Sequence, residues 1–265
     1  MNRMQNTVAL VTGAAGGMGR AHCRRLAEEG ADIIAVDIEA AAAGLAQTAA
    51  EVEALGRQCV TATADVRDQA ALDVAVADGV AALGRLDVIV ANAGVYRDHA
   101  LSWEMPEEDW KLTIDINLTG VWHTVRAAVP ALSDGGSVVI VSSINGILGA
   151  ANSAHYATSK HAVVGLARTL TNELGPRGIR VNTVHPGSVA TPMILNDAVY
   201  AKLRPDLPNP TRQDAAEVLA ARTVLPVPWV DPVDVSNAVL FLASDESRYV
   251  TGTQVVVDAG LTQKV

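Results

Sequence analysis

Tyr156 and Lys160 sit four residues apart in a stretch of helical pattern, so both side chains project from one face. A free tyrosine, with a pKa near 10, is a poor base at neutral pH. A neighbouring ammonium favours the phenolate and lowers that value. Bringing it to about 7 takes roughly 4 kcal/mol, which one partly desolvated charge and a second positive group nearby could supply. The pair is then a candidate general acid/base. Tyr and Lys at this spacing also decorate solvated helix faces, so the pair needs company to mean chemistry.

That company begins near the start of the chain. After a short apolar run ending at Thr12 comes Gly13-Ala14-Ala15-Gly16-Gly17-Met18-Gly19-Arg20, which leads into a helical pattern. Glycines here allow a tight turn and let the backbone approach a pyrophosphate, and the helix start adds amide donors and a positive dipole end. The spacing departs from GxGxxG, so the placement between strand and helix carries the argument. Gly13, Gly17, Met18 and Gly19 are the expected contacts. The next apolar run ends in Asp37, 24 residues after Gly13. A carboxylate there can accept both ribose hydroxyls of an adenosine, and it repels a 2′-phosphate. No Lys or Arg follows Asp37 to offset it, and Arg20 lies inside the helix start. The expected cofactor is therefore NAD, whose oxidised ring is the second positive group that Tyr156 needs.

The elements that must position these residues alternate along the chain. Apolar runs at Val8–Thr12, Asp32–Asp37, Gln58–Ala62, Leu86–Asn92, Ser137–Ser143, Ile179–His185 and Gln254–Asp258 read as strands. Helical patterns cover Met18–Glu29, Ala40–Leu55, Gln69–Leu83, Glu107–Leu132, His155–Leu174 and Pro232–Ala243. Nearly unbroken apolar strands are buried on both faces, as in a parallel sheet covered by helices. The expected fold is α/β: a Rossmann-type, doubly wound, seven-stranded parallel sheet in three α/β/α layers, one domain over residues 1–265. A proline-rich connection at about 188–228 is far longer than ordinary α/β loops and follows the sixth strand at its carboxyl end, where ligands bind. It is the expected substrate-binding loop.

Composition narrows the class. A net charge of −9 argues against a nucleic-acid partner. Two cysteines with no CxxC pair and no His cluster point away from metal and towards a reducing, cytoplasmic setting. With no leader pattern and no run long enough to span a bilayer, no membrane partner is expected.

Taken together, Thr12-Gly13-x3-Gly17-x-Gly19, Asp65-Val66, Asn92-Ala93-Gly94, Asn117, Ser143, Tyr156-x3-Lys160 and Pro186-Gly187 resemble the short-chain dehydrogenase/reductase family in its single-domain form, in order and over essentially the whole chain. The resemblance implies that Tyr156 exchanges a proton with the reacting oxygen while Lys160 binds the nicotinamide ribose and lowers the tyrosine pKa. It implies that Ser143 stabilises charge on that oxygen and that Asn117 holds a water linking Lys160 to solvent. Ser142, one residue off on an extended strand, should face the other way. Asp65 and Val66 would flank adenine, and Asn92, Ala93 and Gly94 would lie along the cofactor, with Asn92 more structural than catalytic. Pro186 and Gly187 would turn the sixth strand over the nicotinamide, with Val189 and Thr191 near its carboxamide. His155, His161 and His185 receive no role, and Trp103, Trp110 and Trp122 read as core or subunit contacts, with Trp103 a possible pocket border.

Residues 117–122, 225–230 and 236–245 further resemble the carveol-dehydrogenase and mycofactocin-associated branch, whose members oxidise terpenoid or other apolar secondary alcohols with NAD. Branch members generally carry an insertion after the second strand, whereas here Asp37 runs directly into Glu39–Ala50. The pocket should be lined from Asn145–Ser153, Val95–Leu101 and the 188–228 loop, with Ile147, Leu148, Met193, Ile194 and Leu195 and few charges facing in. The expected substrate is a small hydrophobic secondary alcohol or ketone, and the family implies a homotetramer. Competing readings are a 3-oxoacyl-thioester reductase, for which Asp37 and the negative charge fit poorly, and a non-catalytic NAD-binding protein, which tends to lose the tyrosine or lysine. An extended-family epimerase would need a larger substrate domain.

Overall fold

The apolar runs at the centre of the sheet become strands because they are covered on both sides. In the computed structural model, which describes residues 2–97 and 100–265, the chain runs β1 (Val8–Thr12), α1 (Gly17–Glu28), β2 (Asp32–Asp37), α2 (Ala42–Glu53), β3 (Cys59–Thr63), α3 (Gln69–Leu83) and β4 (Val88–Ala91). It continues through α4 (Glu107–Ile114), α5 (Gly120–Ala128), β5 (Ser137–Val141), α6 (Ala154–Leu174), β6 (Arg180–Pro186), α7 (Asp197–Leu203), α8 (Arg212–Ala220), α9 (Pro232–Ala243) and β7 (Gln254–Val257). Among the described residues seven strands form one parallel sheet in the order β3-β2-β1-β4-β5-β6-β7. Alternation along each strand splits the core in two. Ala9 and Val11 of β1 pack with α1, α2 and α9 through Leu26, Leu45, Val52 and Val239. Val8 and Leu10 face α3, α5 and α6 through Leu72, Val125, Val163 and Leu170. Three layers result.

The winding reverses beside β1, which pairs with β2 on one side and β4 on the other. A crevice therefore opens at the carboxyl ends of these strands, where open α/β sheets bind ligands. Gly13, Asp37 and Asn92 all lie at that end.

Two elements differ from the sequence expectation. The single helix expected over Glu107–Leu132 is interrupted by a π turn at Asp115–Thr119, and it gives way to a 3-10 turn at Val129–Ala131 containing Pro130. Gly120, just past the π turn, abuts Val66 so closely that a Cβ would come within 2.5 Å of its Cγ2. The 188–228 connection is not a bare loop. Asn196 caps α7 by accepting from Val199 N at 3.0 Å, and Thr211 and Asp214 form a capping box on α8. A clasp closes the segment at its base: Ala190 N donates to Val230 O and Val230 N to Ser188 O, both at 3.0 Å. Among the described residues no helix is long and apolar enough to cross a membrane.

Candidate active site

The glycine loop owes its shape to contacts that a side chain would forbid. Gly13 has φ 68° and Gly17 φ 51°, a region that favours glycine. A Cβ on Gly19 would lie 1.9 Å from the Gly13 carbonyl oxygen, so the helix start can approach the strand only without one. Asp37 Oδ2 accepts from Ala15 N at 2.9 Å and Oδ1 from Ile38 N at 2.8 Å, which fixes the carboxylate over the loop. Arg20 is spent elsewhere: it donates to the carbonyls of Ala15 and Gly44 and to Thr48 Oγ1, and its guanidinium lies 4.0 Å from Glu51. With the Asp37 carboxylate fixed over the loop and Arg20 engaged elsewhere, the negative charge there suits a ribose diol and opposes a 2′-phosphate.

These groups line a cavity of about 600 Å³ together with Met18, Asp65, Val66, Asn92, Ala93, Gly94 and Thr191. Asp65 is paired with Arg67, which holds its carboxyl below the usual range. Asn92 Nδ2 donates to Thr12 O at 2.9 Å and to Gly13 O at 3.3 Å, so it ties the end of β4 to β1, the structural part expected of it. Its Oδ1 is buried without a partner. Thr191 faces the loop, its Cγ2 3.6 Å from where a Gly17 Cβ would stand. A turn that no side chain could fill, a preset carboxylate and an orphaned acceptor fit a dinucleotide.

Tyr156 and Ser143 meet in a second cavity of about 520 Å³ that also touches Met18, Pro186, Gly187, Val189 and Thr191. The Ser143 hydroxyl is hydrogen-bonded to the Tyr156 phenol. Ser142 faces the other way and donates to Lys160 O at 2.9 Å. Lys160 is buried, with Nζ donating to Val141 O at 2.9 Å and lying 5.7 Å from the Tyr156 ring centre. Gly94 completes the enclosure: a Cβ there would sit 3.5 Å from Lys160 Nζ and 3.2 Å from Asn117 Oδ1. Burial, which penalises charge, dominates both titrations. It pushes Tyr156 up to about 12, against the pull of the Ser143 hydrogen bond, and draws Lys160 down to about 8. The lowered tyrosine pKa expected from the pair is therefore not what these protein groups produce by themselves.

Asn117, in the π turn, is fully buried. Its Oδ1 accepts from Val95 N at 2.8 Å, and its Nδ2 donates to Val95 O at 2.9 Å and to Ser159 Oγ at 3.3 Å. The side chain thus clamps the segment that follows the Asn-Ala-Gly motif.

Sequence reasoning passed over His185. This buried ring donates from Nδ1 to Ser143 O at 2.7 Å, while Nε2 lies 2.8 Å from Thr183 Oγ1. It therefore holds the peptide of the serine that meets Tyr156. The parallel β5–β6 pairing, Val141 beside Val184, was the signal that could have found it. The pocket expectation needs correcting too. Leu148, Met193 and Ile194 line the cavity, as does Tyr96 of the expected wall, but Ile147 and Leu195 do not, and the long connection adds two charges, Lys202 and Arg222. Asp98 and His99, within the expected Val95–Leu101 wall, lie outside the described residues. Trp103 is exposed rather than core, and Trp110 and Trp122 also reach solvent.

A family model described as enoyl-(acyl carrier protein) reductase matches residues 13–262. The (−)-trans-carveol dehydrogenase of Rhodococcus erythropolis is 49% identical over 277 residues, with 100% of each chain covered. A crystal structure of carveol dehydrogenase from Mycobacterium avium in complex with NAD is 50% identical, covers 100% of both chains and superposes with a TM-score of 0.97. Another, of a short chain dehydrogenase from Mycobacterium paratuberculosis bound to NAD, is 42% identical, covers 99% of this chain and 100% of that one, and gives a TM-score of 0.88.

Proposed function

The chain belongs to the short-chain dehydrogenase/reductase family, and from that premise we propose that it is an NAD-dependent dehydrogenase interconverting an apolar, terpenoid- or steroid-like secondary alcohol and its ketone. The observation that carries this reading is the meeting of Tyr156 and Ser143 in a cavity lined by Leu148, Met193 and Ile194, beside buried Lys160 and the glycine loop. The relatives named as carveol dehydrogenases support the same substrate class.

Gly13, Gly17, Met18, Gly19, Asp37, Asp65, Val66, Asn92, Ala93 and Gly94 would hold the dinucleotide, with Tyr156, Lys160, Pro186, Gly187, Val189 and Thr191 on its nicotinamide side. When bound, NAD supplies the hydride acceptor or donor and, oxidised, a positive ring beside the phenol. Tyr156 gives its proton to a carbonyl oxygen in reduction and takes the alcohol proton in oxidation. Burial keeps it a neutral donor by default, so oxidation depends on positive charge to draw the proton off. Ser143 hydrogen-bonds the same oxygen as its charge changes. Lys160 supports the phenolate through its charge, and Asn117 fixes the wall beside it.

The test is an alcohol panel followed by NADH absorbance. Cyclic terpenoid and steroid alcohols should turn over faster than polyols or sugars. Tyr156→Phe should lower kcat by about 10²-fold or more, given what a positioned acid/base contributes, with NAD binding nearly intact. A fast polyol reaction, or a fully active Tyr156→Phe, overturns the reading.

We further propose a cytoplasmic homotetramer. Supporting it are the two free cysteines, the solvent-facing Trp110 and Trp122 on α4 and α5, and the exposed Phe241 on α9 and Val256 in β7.

A further inference from the structure

The substrate cavity holds two cations, Lys202 on α7 and Arg222 just beyond α8, and among its described lining residues there is no carboxylate. That balance runs against a chain whose formal net charge is −9. Arg204, two residues after Lys202, is paired with Asp206 and Asp214. Lys202 instead turns its ammonium onto Tyr96, donating to the hydroxyl at 3.1 Å with Nζ 5.3 Å from the ring centre. Tyr96 in turn meets Tyr156 edge to face, with ring centres 4.7 Å apart and an interplanar angle of 68°. A single aromatic ring therefore separates a cation from the acid/base. An ammonium carries three donors, and Tyr96 occupies one of them.

We propose that Lys202, supported by Tyr96, forms an oxygen-binding subsite across the cavity from the reacting carbon. The substrate is then an apolar ring alcohol or ketone bearing a second acceptor oxygen, as a carbonyl or a carboxylate, rather than a simple hydrocarbon alcohol. This rests on the dehydrogenase reading above and narrows its substrate class. Apolar walls remove the ring from water, Tyr156 and Ser143 take the reacting oxygen, and Lys202 takes the remote one. Because Lys202 is exposed, solvent screening limits the gain to about fivefold in kcat/KM.

The experiment compares cyclohexanol, its para-oxo analogue and its para-carboxylate with NAD on the wild type, Lys202→Met and Lys202→Arg. In the wild type both oxygenated probes should exceed cyclohexanol in kcat/KM by about fivefold. That ratio should collapse in Lys202→Met and largely survive in Lys202→Arg. A further advantage for the carboxylate that disappears in Arg222→Met assigns the second cation to the same subsite. No preference in the wild type, or an unchanged ratio in Lys202→Met, overturns the proposal. Calorimetric binding of cyclohexanecarboxylate to the NADH-loaded protein separates the two readings. If the wild type oxidises no alcohol yet Lys202→Met abolishes binding, the subsite stands and the dehydrogenase reading falls. Equal binding by both proteins overturns the subsite.

Discussion

At the scale of single residues, one cause moves Tyr156 and Lys160 in opposite directions: burial penalises the charged form of each, raising the phenol and lowering the ammonium. The enclosure that prepares the site for chemistry also strains its protonation. Between pH 8 and 10.5 the unfolded chain still holds a Lys160 proton that the folded protein has released. Stability must therefore rise with pH across that window, relative to a variant without the lysine, by roughly 3 kcal/mol. Urea denaturation of wild type and Lys160→Met at the two ends of the window checks this, and a constant difference between them would count against a buried ammonium. Cofactor choice is also decided by single residues. Asp37 is fixed over the loop and Arg20 is tied to backbone carbonyls. Asp37→Ser combined with Ile38→Arg should shift the NAD/NADP ratio of kcat/KM towards NADP by about tenfold or more, the effect of one charge contact of about 1.4 kcal/mol. An unmoved ratio would refute the charge argument.

At the scale of elements, β6 does more than complete the sheet, since it delivers His185 to the Ser143 carbonyl. His185→Leu would remove one of the two hydrogen bonds that oxygen accepts, the other coming from Gly146 N at 2.9 Å, a loss of about 1 kcal/mol. We expect kcat to fall about tenfold while NAD affinity holds, and His185→Asn, whose amide can still donate, to recover most of it. Equal losses in both variants would mean a packing role only. The strands themselves were legible because burial on both faces leaves unbroken apolar runs, and Tyr156, Lys160, Ser143 and the glycine loop were legible because their spacing is local. The π turn at Asp115–Thr119 was not, since apolar periodicity over Glu107–Leu132 barely registers one widened turn. Lys202 and Arg222 were hidden for a different reason: their direction is set by how α7 and α8 dock, a long-range matter on which local pattern is silent. His185 needed the register of two strands far apart in sequence.

For the whole molecule, one twisted sheet carries two covered faces, while Trp110, Trp122, Phe241 and Val256 remain open to solvent on its outer elements. The proposed tetramer would bury them, and light scattering should return four chain masses; a monomeric mass contradicts the assembly. The clasp between Ser188–Ala190 and Val230 has a wider consequence. It fixes both ends of the α7–α8 segment at one point beyond the end of β6, so the helical stretch past Thr191, which itself lines the cofactor cavity, is a replaceable cassette. Doubling the length of such a closed excursion adds only about 0.6 kcal/mol of closure entropy. A lineage, or a protein engineer, can therefore exchange this cassette for one of another shape and acquire a new appetite for substrates without retuning the proton chemistry beneath it.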